Sequence, residues 1–127
     1  MTTHSTEDLR LATLSHIGYL LNITVLPLFG FILQVILWQK TRCRPGGFAH
    51  QHAQQSLIGS ILAGFFLACM AGLIILIGGI HSPWTWVLVI LYVTLCHSFL
   101  ILLGVLACSR ANAGKAFFFL KPKSWWN

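Results

Sequence analysis

Charge is what this sequence has least of. Its 127 residues hold two Asp/Glu and eight Lys/Arg, 8% together, where soluble domains carry about 25%. None of the four types occurs from Leu11 to Gln39 or from Pro45 to Ser109. A water-exposed fold is excluded by those two gaps. The only acids, Glu7 and Asp8, sit side by side near the amino terminus. No carboxylate is therefore left to orient a histidine for serine or cysteine catalysis, to form a general acid/base pair, or to build a carboxylate metal site. A phosphate-cradling glycine loop of the Walker type is also missing. The chain is not expected to be an enzyme. Linkers, repeats and low-complexity tracts are absent, so residues 1–127 read as one transmembrane domain.

What is present is hydrocarbon-compatible: 57% hydrophobic residues and a mean hydropathy of +0.80. Three stretches, 17–38, 57–80 and 84–108, each exceed the roughly 20 apolar residues needed to cross a bilayer. None is as short as the apolar part of a secretory signal, no basic leader precedes the first, and that segment is expected to be retained. The expected fold is all-α, an integral membrane helical bundle of three long hydrophobic segments. Pro27, with Gly30 close by, removes a backbone donor inside the first segment and predicts a kink or re-entry there. That segment is either a surface helix leading into one bent span or a shallow hairpin with both ends on one side. Ser5 or Thr6 before Glu7 and Asp8 is a helix start, Pro45-Gly46-Gly47 a turn, Ser82-Pro83 a start, and Asn112-Ala113-Gly114 a stop.

Orientation follows from the cations, which stay on the cytoplasmic side of short loops. Lys40, Arg42 and Arg44 occupy the loop 39–56, and Arg110, Lys115, Lys121 and Lys123 the carboxyl end; His81-Ser82-Pro83 has none. The loop and the carboxyl terminus are expected in the cytoplasm. The simplest three-span path then leaves the amino terminus outside. The aromatic tail 115–127 suits a segment lying along the headgroups. The net charge of +6 belongs to these anchors, and no nucleic-acid partner is expected.

Helices in lipid associate by close packing and hydrogen bonds. Gly59, Ser60, Ala63, Gly64, Ala68 and Gly72 line one side of the second segment at helical spacing, and Gly104 adds a small residue in the third. They serve packing within the chain or docking of other membrane subunits. Ser15, Tyr19 and Asn22 share one stripe of the first helix and should face protein or a hydrated crevice. Of the six histidines, His97 falls about 20 Å along its helix from Trp84. His16 lies at the outer edge of the first segment in the three-span path, at a different level. A haem bridging the two is not expected, and no cofactor is assigned. His50 and His52 with Cys43 lack the fourth ligand of a structural zinc site and read as an interfacial helix start. Cys69, Cys96 and Cys108 lie within the apolar segments, so disulfides are not expected.

Three blocks carry a family resemblance: Leu11-Ala12-Thr13-Leu14-Ser15-His16-Ile17-Gly18; the basic loop from Gln39 to Phe48 leading into His52-Ala53-Gln54-Gln55-Ser56-Leu57; and Arg110-Ala111-Asn112-Ala113-Gly114-Lys115 with Phe117, Phe119 and Pro122. Together they resemble a widespread bacterial family of small membrane proteins of unknown function, itself distantly similar to the Tic-type import component of the chloroplast inner envelope. The chain departs from the pattern at Ile58, where the family often has Asn, and in lacking acids in the loop. The resemblance implies an all-helical inner-membrane protein, with its amino terminus inside if the first helices form a hairpin. Three functions compete. The first is a non-catalytic accessory or scaffold subunit of a larger membrane complex. The second is an oligomeric transport or protein-translocation channel component lined by Ser15, Tyr19, Asn22 and His97. The third is a cofactor-holding electron-transfer subunit using His16, His97 or the Trp-rich edges.

Overall fold

A computed structural model describes residues 4–44 and 46–119. Among these the chain forms four helices and no strand: α1 (Thr6–Thr24), α2 (Pro27–Thr41), α3 (Phe48–Gly78) and α4 (Pro83–Asn112). Two helices, α3 and α4, are long and apolar enough to cross a membrane, not three. Only 6% of the apolar window of each is buried within the chain, unlike a core helix of a soluble protein.

The missing third span is the segment 17–38, which is cut in two. Ser5 caps α1, its Oγ accepting from the Asp8 N–H at 3.1 Å, as the sequence suggested. The helix ends at Thr24, and Pro27, with no N–H to donate, becomes the first residue of α2. The break is a reversal rather than a kink. Gly18 and Gly30 allow it: a Cβ on Gly30 would lie 2.6 Å from Asn22 Cα and 2.7 Å from the Gly18 carbonyl oxygen. Backbone thus packs on backbone, which only glycine permits here. At about 28 and 22 Å, α1 and α2 are each shorter than the roughly 45 Å of α3 or α4.

The three-span path is corrected accordingly. Asp8 lies 4.0 Å from Arg44 and His4 stacks on Phe48 at 4.0 Å. The start of α1 therefore shares one end of the molecule with the basic loop, instead of lying at the opposite end from it. The carboxyl end of α4 reaches the same end, since the Lys115 carbonyl meets His52 near the start of α3. Gly114, at φ +68°, closes α4, and the Lys115 N–H returns to the Arg110 carbonyl at 2.9 Å, a left-handed glycine stop. At the far end Gly79, at φ +78°, turns the chain into Ser82-Pro83 and α4.

Candidate functional site

The most polar part of the interior lies where α1 crosses α3 near the basic end. His16 and His52 are both fully buried, and His16 Nε2 stands 2.8 Å from His52 Nδ1. The other nitrogen of His52, Nε2, is 3.1 Å from the Lys115 carbonyl oxygen. A carbonyl only accepts, so His52 Nε2 carries the hydrogen and its Nδ1 is a bare lone pair. His16 Nε2–H must then donate to it. The relay ends at His16 Nδ1, a buried acceptor with no partner among the described residues. Burial, and secondarily the neighbouring His52, push the His16 pKa from 6.5 down to about 3, so the ring is neutral at physiological pH. Phe117 and Phe119 close over it, with ring centroids 6.0 and 6.3 Å away.

A second polar lock joins α2 to α3. Fully buried Gln34 donates through Nε2 to the Ser56 carbonyl at 3.0 Å and accepts at Oε1 from the Ser60 hydroxyl at 2.8 Å. One turn further along α1 from His16, the Tyr19 hydroxyl donates to the Leu100 carbonyl of α4 at 3.2 Å. Gly104 makes room for that contact, because a Cβ there would lie 2.7 Å from Tyr19 Cε1. The chain after α4 then folds inward. The Phe119 N–H donates to Gln55 Oε1 at 3.0 Å, and its ring lies within 3.0 Å of where a Gly59 Cβ would stand.

The residues singled out from sequence thus have distinct fates. Gly59, Ser60, Ala63 and Gly104 pack within the chain, against Phe119, Gln34 and Tyr19 among others. Gly64, Ala68 and Gly72 are exposed, and a Cβ at Gly64 or Gly72 would meet nothing within 4 Å. Ser15 is fully buried and bonds the Leu11 carbonyl of its own helix at 2.9 Å. Asn22 contributes its backbone to the Gly30 crossing. His97 is half-buried on α4 and makes no hydrogen bond to a described residue. Lys40, Arg42, Arg44, Arg110 and Lys115 are exposed at the basic end, Arg42 lying over the Trp38 ring at 5.4 Å. Lys121 and Lys123, with the rest of the tail from 120 on, lie outside the described residues.

Sequence reasoning missed His52, Gln34, Gln55 and Phe119. Gln34 was findable, being an amide in an otherwise apolar run, the rule that flagged Asn22. In the sequence His52 belongs to an interfacial helix start, because nothing local shows that α1 returns to meet it. The same crossing corrects the placement of His16, which lies toward the basic end and not at the opposite edge. His50 turns elsewhere, with Nδ1 3.3 Å from Thr41 Oγ1. It borders a cleft of about 310 Å³ shared with Glu7, Asp8, Lys40, Cys43 and Arg44. No group of three or more His, Cys, Asp or Glu able to hold a metal ion occurs among the described residues.

Residues 7–122 match the family model described as the magnetosome magnetite crystal formation protein family, MamF/MmsF. The chain belongs to that family. The matched stretch takes in the four helices but for Thr6, the first residue of α1, and it includes both histidines of the relay. It bears out a small bacterial membrane protein family and shows no similarity to the Tic-type component. No curated protein and no solved structure matches the chain.

Proposed function

We propose that this MamF/MmsF protein is a non-catalytic membrane scaffold that takes part in magnetite crystal formation in association with other membrane subunits. The observation that carries it is how the buried polar groups are used. His16, His52, Gln34, Ser60 and Tyr19 bond other parts of the same bundle, while the apolar surface of α3 and α4 stays uncovered. Such a molecule offers surfaces and a fixed shape rather than reactive groups. The family supplies the process, crystal formation. The cations at one end favour a cytoplasmic position for the basic loop, the start of α1 and the end of α4, in a bacterial membrane crossed twice. A path lined by Ser15 and Tyr19 is disfavoured, because both are buried and bonded within the bundle.

Deletion of the gene from its host, with complementation, tests this reading. Electron microscopy should show crystals of altered size or shape that the wild-type gene restores. Membranes dissolved in mild detergent should show the chain migrating with a stoichiometric partner on a native gel. Unchanged crystals together with a lone monomer would remove it.

A further inference from the structure

The four helices do not run side by side along their whole length. All buried residues of α3, from Ala49 to Ala63, lie in its first half, and none of Gly64 to Gly78 is buried. In α4 the buried residues Gly104, which meets Leu20 and Tyr19 of α1, Ala107 and Ala111 lie in its last third, whereas buried Thr85, which meets Gly78 of α3, and Val89 lie near the far turn. Cross-links fix the depth. Tyr19 meets Leu100, about 18 Å from the Asn112 end of α4. Gln34 meets Ser60, about 18 Å from the start of α3. Beyond those levels α1 has five residues left and α2 seven, about one and a half and two turns, before their reversal at Val25-Leu26-Pro27. The α1–α2 hairpin therefore stops about 25 to 28 Å from the basic end, leaving just under 20 Å of α3 and α4 with only each other among the described residues, paired through Tyr92 and Phe66 and through Gly78 and Thr85.

The tip of that hairpin is apolar and open. Val25, Leu28 and Phe29 are 69%, 70% and 67% exposed, which is stable in hydrocarbon and costly in water. The first turns of α3, up to Ser56, are polar and belong to the headgroup level. The tip then enters only the near half of a hydrocarbon core about 30 Å thick. Near the basic side the bilayer must accommodate four helices, each about 10 Å across; on the other side it accommodates two.

We propose that the protein is a tapered wedge that prefers membrane whose basic-side leaflet is the outer, convex one. The partner recognised is a curved lipid surface. A convex leaflet spreads its chains apart relative to the opposite leaflet, so the wide end fits there with less compression of lipid. Polar locks at the wide end, His16 with His52 and Gln34 with Ser60, hold the short hairpin against the long one and keep the taper rigid. This inference rests on the membrane-embedded reading above.

The test uses the full chain with Cys69→Ala, Cys96→Ala and Cys108→Ala, so that only Cys43, exposed in the basic loop, can be labelled. It is reconstituted into small and large vesicles of phosphatidylethanolamine and phosphatidylglycerol. A membrane-impermeant maleimide then reports the fraction with the basic end outside. Outward over inward orientation should rise severalfold from large to small vesicles. The chain carrying Leu28→Asn and Phe29→Asn, which withdraws the tip, should lose that dependence while keeping its melting temperature in detergent. One orientation ratio at every vesicle size overturns the proposal, since a bias from charge alone does not vary with diameter. Size-independent dimers cross-linked along Gly64, Ala68 and Gly72 overturn it in favour of a second copy covering the narrow end. Failure to enter vesicles at all refutes the membrane reading itself.

Discussion

Replacing one histidine of the relay should cost more than replacing both. His52→Phe removes the acceptor of His16 Nε2–H, and His16 Nδ1 already has no partner among the described residues, so a fully buried imidazole is left with neither nitrogen bonded to any of them. A buried polar group stripped of its partner costs about 1–3 kcal/mol. The Lys115 carbonyl, in an exposed residue, regains water and adds little. His16→Phe likewise leaves His52 Nδ1 bare in a fully buried ring, at a similar cost. With both replaced, two apolar rings of comparable volume face each other, an exchange that is close to neutral. The double variant should thus recover most of the loss, giving a coupling of about 2–6 kcal/mol, the sum of the two single losses. Unfolding in detergent with increasing denaturant, read by near-UV circular dichroism across the four proteins of the cycle, measures it. Strictly additive losses would refute the relay.

The same pair sets a pH dependence. The unfolded chain protonates His16 near its ordinary 6.5, the folded one only near 3, so its contribution is complete above pH 6.5 and falls as pH drops toward 3, by up to about 1.4 kcal/mol per pH unit; His16→Phe should flatten that part of the melting-temperature profile. Gln34→Leu leaves the Ser60 hydroxyl without its acceptor and should destabilise by about 1–3 kcal/mol, a loss that Gln34→Leu with Ser60→Ala partly restores. Gly30→Ala, which drives a Cβ into the Asn22 backbone, should abolish the α1–α2 hairpin, seen as loss of the monodisperse detergent complex on size exclusion. Gly64→Ala and Gly72→Ala, with open space around them, should raise the melting temperature slightly through helix propensity, by up to about 1 kcal/mol each. A drop there, in isolated monomer, would show packing that the bundle does not contain.

Much of this protein is determined along the chain itself. The charge-free stretches select lipid as the solvent, because an ionised side chain in hydrocarbon is too costly to recur by accident. The lengths of 57–80 and 84–108 then give two helices long and apolar enough to cross a membrane, and Ser5, Pro27, Ser82 and Gly114 mark helix ends by what their own backbone can donate or adopt. Composition counted the segment 17–38 as a third span, since apolar content and length cannot distinguish a helix that continues from one that reverses. That difference rests on backbone contact between Gly18, Asn22 and Gly30, which exists only once the two halves have met. The pairings that follow, His16 with His52, Gln34 with Ser60 and Phe119 with Gly59, join residues far apart in sequence at angles set by that reversal. Local pattern determined what each segment is made of and which solvent it tolerates; the tertiary structure alone decided how far along the bundle each one reaches and which polar groups find one another, because a hydrogen bond inside a membrane protein depends on positions in space and not on spacing along the chain.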